Sequence, residues 1–248
     1  MKKTRAPFFA GTSGLVVAVP QRDFPPEHSN KSRLAYYALQ LNSIEINSSF
    51  YKLPRAATIM NWAEMVPHNF RFTFKLWKEI THQKQLIFSP DAIVKFFEVI
   101  DHVNDKKGCV LVQFPPSVKI DLLIQFKQLL IAINETNKGW KIAVEFRHSS
   151  WYREDVYELL SRSGAGLVYH DKTGSATPLI EPTGDFVYQR FHGPGGDYKG
   201  SYDDGFLYEY SLYIQEWRES GKSTFVYFNN TAGDALKNLN LLLRYVDL

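Results

Sequence analysis

The sequence predicts a single α/β domain over residues 1–248, a (β/α)8 barrel of the TIM type with a parallel eight-stranded core. Three observations carry the prediction. Short apolar runs recur along the chain, and each ends in polar or charged residues. Helical stretches lie between most of them. The length, 248 residues, is the usual size of such a barrel. Strands covered on both faces read as nearly continuous apolar runs, which is why these runs point to parallel strands.

The runs fall at 8–13, 43–47, 71–76, 109–114, 141–146, 166–170, 186–192 and 224–229. The first ends in Gly11-Thr12-Ser13-Gly14, which is not a dinucleotide-binding fingerprint and argues against an open doubly wound sheet. The next four carry Ile44-Glu45-Ile46-Asn47, Phe72-Thr73-Phe74-Lys75, Val110-Leu111-Val112-Gln113 and Ala143-Val144-Glu145-Phe146-Arg147-His148. The sixth ends at His170, the seventh reads Val187-Tyr188-Gln189-Arg190-Phe191-His192, and the eighth reads Val226-Tyr227-Phe228-Asn229-Asn230. Between them, 31–41 carries Leu34, Tyr37, Ala38 and Leu41 at helical spacing. Further helices are expected at 57–65, 91–103, 121–133, 153–161, 207–218 and 234–246. Asp91 and Asp121 stand near starting turns, where a carboxylate suits the helix dipole. The connection 172–185 holds Gly, Pro and Thr and reads as loop.

Composition narrows the function classes. Lys plus Arg is 29 against 26 for Asp plus Glu, a net charge of only +3, which does not mark a dedicated nucleic-acid binder. One cysteine, Cys109, lies in an apolar run, so an internal disulfide and an all-cysteine metal site are excluded. No apolar stretch is long enough to span a bilayer, and no signal-length apolar segment follows the basic start. A cytoplasmic protein with no membrane association is expected, and the oligomeric state is not legible.

Side chains at the carboxyl ends of parallel strands line the usual ligand crevice. Alternation puts Glu145 and Arg147 on one side of their strand. Glu45 and Asn47 match them on the second strand, so Glu45 and Glu145 could face each other across the mouth, an arrangement suited to acid and base work. The competing reading gives each carboxylate its own cationic partner among Lys75, Arg147 and Arg190. Those three cations, with Asn47, Gln113, Gly193, Asn229 and Asn230, form the expected ligand-binding set. Glycine-bearing loops follow the seventh and eighth strands, where barrels often hold phosphate on backbone N–H groups. His192 or His170 is the expected proton carrier, since histidine titrates near neutrality. His148, His170 and Asp171 are the candidates for a divalent metal, but no close-spaced ligand motif accompanies them, and the nearby cations disfavour it. No cofactor is expected. Phe50, Tyr51, Trp77, Trp151 and Tyr227 could stack on a ligand, Trp77 first among them, although packing is the commoner use of such residues.

The ordered set GTSG, IEINSSFYKLP, FRFTFKLWKEITH, VQFPPS, AVEFRHSSW, FVYQRFHG and VYFNNTAGDALKN resembles the YecE-like family, also called domain of unknown function 72, over nearly the whole chain. The resemblance implies a TIM-type barrel and no particular activity. The chain departs from the family pattern at Leu15-Val16-Val17, where an aromatic is usual, at Ser149, where proline is common, and at Thr231, where an acid often stands.

Two functions follow as expectations. In the first, an enzyme binds a phosphorylated or otherwise anionic substrate, with catalytic Glu145, His192 and Glu45 acting in hydrolysis of a phosphoester or glycosidic bond. In the second, a barrel without chemistry holds nucleic acid through Lys75, Lys78 and Lys84. A metal-dependent nuclease or isomerase is a third reading, by fold analogy alone.

Overall fold

β-branched and aromatic residues favour extended backbone, and burial on both faces keeps these runs apolar. In a computed structural model that describes residues 5–246, they form eight strands: β1 Phe8–Thr12, β2 Ser43–Ile46, β3 Arg71–Lys75, β4 Lys107–Gln113, β5 Lys141–Glu145, β6 Ala165–His170, β7 Phe186–Phe191 and β8 Ser223–Phe228. Every ladder is parallel, in the order β1-β8-β7-β6-β5-β4-β3-β2. The result is a nearly closed barrel wrapped by helices. No described helix is long and apolar enough to cross a membrane.

The helices are α1 Arg33–Tyr37, α2 Ser48–Tyr51, α3 Ala56–Met65, α4 Lys78–Thr81, α5 Pro90–Ile100, α6 Leu123–Thr136, α7 Glu154–Arg162, α8 Asp204–Glu219 and α9 Ala235–Val246. The expected helix at 31–41 is shorter. Ser32 caps it by accepting from the Ala35 N–H at 3.1 Å, and it stops at Tyr37, beyond which Leu39 and Gln40 close single turns. The one-turn helices α2 and α4, next to the barrel mouth, are too short to show a period, so sequence reading does not find them. Residues 172–185 carry no helix.

β1 and β2 close the ring without a ladder. One bridge joins Ser13 to Glu45. Below it, side chains take the place of backbone pairing. The Asn42 amide accepts from Ala10 N–H at 2.9 Å and donates to the Phe8 carbonyl at 2.8 Å. The Tyr37 hydroxyl accepts from Thr12 N–H at 2.8 Å and donates to the Ser43 carbonyl at 3.0 Å. Gly11 is required here, because any Cβ at that position would overlap the Ser43 carbonyl oxygen.

The barrel interior is layered. Phe9, Cys109, Leu111, Ala143, Val168, Phe186, Tyr188, Phe225 and Tyr227 pack as an inner core, separate from the larger core between strands and helices. Tyr227 turns its hydroxyl to Ser43 and Thr73 inside the barrel. One step further along the strands the inward side chains become polar and charged. Register sets that height: Gln113 lies beside Glu145, and His170 beside Arg190, which lies beside Tyr227.

Candidate functional site

Alternation along β2, β5 and β7 brings Glu45, Glu145 and Arg190 to the carboxyl end of the barrel, where all three are fully buried. Arg190 bridges the two carboxylates. Its Nη2 donates to Glu45 Oε1 at 2.8 Å and its Nη1 to Glu145 Oε2 at 2.7 Å. The competing reading, a separate cationic partner for each acid, does not hold: the two share one guanidinium, with Arg147 as a further partner of Glu145. Planar fork geometry makes arginine suited to this, since two donors leave it side by side. Glu45 also accepts from the Ser13 and Tyr188 hydroxyls, and Ser13 in turn accepts from the Asn47 amide at 2.6 Å. Glu145 has a second partner in Arg147 Nη2. Burial alone would raise the Glu145 carboxyl, but Arg147 and Arg190 outweigh it and hold the group well below the usual carboxylate range. Glu145 is therefore a fixed anion.

His192 sits between the two arginines and Asp171. Its Nδ1 donates to Asp171 Oδ1 at 3.2 Å, and its Nε2 accepts from Arg147 Nη2 at 2.9 Å and from Arg190 Nη1 at 3.3 Å. The surrounding donors thus fix one tautomer. Burial, aided by the Arg190 and Arg147 charges and opposed by Asp171, pushes the imidazole down to about 4. It is a neutral acceptor at neutral pH, not the near-neutral proton carrier that the sequence suggested. His170 donates Nε2–H to the Phe146 carbonyl at 2.9 Å and accepts the Lys172 N–H at 3.2 Å, and burial lowers its pKa.

The remaining expected site residues divide. His148 accepts from the Ser150 N–H at 3.2 Å and starts a turn. Asp171 accepts from the Tyr202 hydroxyl and from His192. His148, His170 and Asp171 are thus each tied to separate partners, and among the described residues no group of three or more His, Cys, Asp or Glu side chains is placed to hold a metal ion. Gly193, with φ +96°, gives its N–H to the Tyr202 hydroxyl. Asn230 donates to the Gly200 carbonyl at 3.0 Å and to Asn238 at 3.0 Å. The glycine loops also bind each other: Ala232 N–H donates to Tyr198 O and Asp234 N–H to Gly200 O. Their backbone donors serve loop closure, so Gly193 and Asn230 are corrected from ligand contacts to structural residues. Asn229 continues the inward face of β8 beyond Tyr227, and the Gln113 amide donates to the Phe114 carbonyl at 2.7 Å. Trp151 is core, stacked on Phe146, and half-buried Trp77 packs on the main core. Tyr51 is 69% exposed beside the mouth.

Lys75 stands apart. It ends β3, and no carboxylate lies within ion-pair distance of it among the described residues. Its ammonium rests 4.2 Å from the centre of the Phe50 ring. Burial first, then Arg190, push it down to about 8, against the pull of Glu145 and Glu45; Arg147 also acts on it. Arg147, 8% exposed, has a buried Nε with no partner among the described residues, and Asn47 has a buried Oδ1 with none among them. Sequence reading misses Ser13, Tyr188 and Tyr202 in this network. Tyr188 was findable, because it shares the inward face with Arg190 two residues on; Tyr202 lies in a loop whose path no pattern announces.

Comparison with known proteins agrees with this architecture. The family model described as protein of unknown function DUF72 matches residues 10–248. UPF0759 protein YunF of Bacillus subtilis (strain 168) is 25% identical over 257 residues, covering 91% of this chain and 90% of that protein. UPF0759 protein YecE of Escherichia coli (strain K12) is 30% identical over 146 residues, covering 58% of this chain and 52% of that protein. The crystal structure of a DUF72 family protein from Thermotoga maritima MSB8 superimposes with a TM-score of 0.79 at 25% identity, over 98% of this chain and 100% of that one.

Proposed function

Because this chain belongs to the DUF72 family, whose description names no reaction, we propose its function from the mouth itself: the barrel binds a small anionic ligand between Lys75 and Arg147. The observation that carries this reading is the charge balance of the network. Glu45 and Glu145 are paired with Arg190 and Arg147, and Asp171 is held by His192 and Tyr202, so among the described residues Lys75 is a cation with no carboxylate at ion-pair distance. An anion entering there would neutralise it and give the partnerless Nε of Arg147 an acceptor.

The chemistry expected from sequence shifts accordingly. Glu145 acts as an anchor for two guanidiniums, and His192 as an acceptor that holds Arg147 and Arg190 in place. Lys75, pushed down to about 8, is brought toward neutral pH. If a bond is made or broken at this mouth, hydrolytically or otherwise, Lys75 is the group to carry it. The nucleic-acid reading is less favoured, because Lys75 turns inward to the network while Lys78 and Lys84 are exposed, so the three make no single basic face.

Titration calorimetry at low ionic strength, with inorganic phosphate, sulfate and malonate as probes, tests the proposal. At least one should bind with unit stoichiometry. Lys75→Met should weaken it by about tenfold or more, the share of a close charge pair in binding. Absence of binding by all three probes, or equal affinity in the variant, would count against it.

A further inference from the structure

We propose that Lys75 is a nucleophilic amine that forms a reversible imine with a small carbonyl compound whose carboxylate or phosphate is held by Arg147. The inference rests on the anion-site reading above and adds to it the class of ligand and the bond formed.

Four features of the mouth carry it. The carboxylates that would ordinarily pair with such a lysine are already committed, Glu45 to Arg190 and Glu145 to Arg190 and Arg147. Other lysines of the described chain that turn inward or along the strands have partners: Lys107 with Asp101, Lys141 with Asp185, and Lys106 and Lys172 with backbone carbonyls. The Lys75 amine lies against the face of Phe50, itself packed edge-on to Tyr51 and His82, so one side of it is apolar. Finally, Arg147 is buried beside the same network with its Nε unpartnered among the described residues, a second donor free for a ligand. Desolvation and neighbouring positive charge favour the neutral amine, which is the nucleophilic form. With its pKa pushed down to about 8, Lys75 holds on the order of a hundredfold more neutral amine at pH 7 than an ordinary lysine.

The step balances without an oxidant or reductant. The Nζ lone pair attacks the carbonyl carbon, and an Nζ proton moves to the oxygen to give a carbinolamine. Its hydroxyl takes one proton from solvent and leaves as water, while the nitrogen lone pair closes the C=N bond as an iminium. No group other than Lys75 needs to change charge. Glu145 and His192 keep theirs, and their hydrogen bonds hold Arg147 in place to take the anionic end of the ligand.

The experiment is reductive trapping on the full chain. Pyruvate supplies a carbonyl with a carboxylate, dihydroxyacetone phosphate a carbonyl with a phosphate, and acetone a carbonyl with neither. Each is incubated with the protein and borohydride, which delivers hydride to the iminium carbon and leaves a stable secondary amine for peptide mass spectrometry. Phosphate calorimetry runs in parallel on wild type and on Lys75→Arg, which keeps the positive charge. The expected result is an adduct at Lys75 with pyruvate or dihydroxyacetone phosphate, about tenfold above that on any other lysine, and no comparable adduct with acetone. In Lys75→Arg that adduct disappears while phosphate still binds. Phosphate binding in the wild type with adducts spread evenly over exposed lysines such as Lys78 and Lys84 overturns the imine and leaves the anion site standing. Neither trapping nor phosphate binding overturns both.

Discussion

At the residue scale, the mouth is a chain of enforced charge states. Arg190 is the hinge of that arrangement, since among the described residues it alone pairs with both buried carboxylates. Removing one partner of a buried ion network leaves an uncompensated charge in a poorly polarisable interior. Arg190→Met should therefore destabilise the protein by about 3–5 kcal/mol in urea unfolding. Adding Glu45→Gln and Glu145→Gln to it should recover part of that loss, because the stranded charges go with their partner. Lys75 has the opposite sign. Its lowered pKa means that folding disfavours its charge, so Lys75→Met should raise stability at pH 7, by about 1–2 kcal/mol once partial exposure is discounted. A stabilising substitution at the proposed ligand contact is the trade expected where function, not folding, keeps a residue in place. Unchanged or lowered stability in Lys75→Met would mean that the amine has a structural partner.

At the element scale, the weak point of the ring is the seam between β1 and β2. Tyr37 and Asn42, from α1 and the turn after it, supply hydrogen bonds that a ladder would otherwise make. Tyr37→Phe removes the hydroxyl and leaves the Thr12 N–H and the Ser43 carbonyl buried and unpaired. That should cost about 1–3 kcal/mol, and hydrogen exchange at the Thr12 amide should accelerate more than exchange at amides in β4 or β5. Uniform acceleration would show that the seam has no local stability of its own. The strands were legible because burial on both faces writes one apolar signature, and their inward polar ends followed from a period of two. The seam was not legible, since it depends on how Tyr37 and Asn42 reach across space. The glycine loops misled for a similar reason. Gly193 and Gly233 have the composition of a phosphate cradle, but the chain path turns the Gly193 N–H to the Tyr202 hydroxyl and the Ala232 and Asp234 N–H groups to the Tyr198 and Gly200 carbonyls. Composition shows that a turn is permitted, and not which acceptor its donors find.

At the scale of the whole molecule, the buried network couples folding to pH. His192 titrates at about 4 when folded against an ordinary 6.5, so between those values the unfolded chain binds a proton that the folded chain refuses. Stability from this group is full above pH 6.5 and is lost as pH falls toward 4. Glu145, held below the carboxylate range, extends the loss to lower pH. Urea midpoints should therefore fall from pH 7 to pH 4, and a His192→Gln variant that remains folded should flatten the part of that fall between 6.5 and 4, worth about 2–3 kcal/mol. A fall of the same size in that variant would assign the effect elsewhere. On the alkaline side the sign reverses in origin but not in direction. Lys75 is at about 8 when folded against an ordinary 10.5, so the penalty for its charge fades as pH rises through that interval.

Among the described residues Lys75 has no carboxylate at ion-pair distance at the barrel mouth, and an anion should find it. A crystal soaked in selenate, mapped by the anomalous signal of selenium, tests this most directly. A peak is expected at the carboxyl mouth with oxygen atoms within hydrogen-bond distance of Lys75 Nζ and Arg147. Peaks confined to the outer surface, with none between those two side chains, would contradict it.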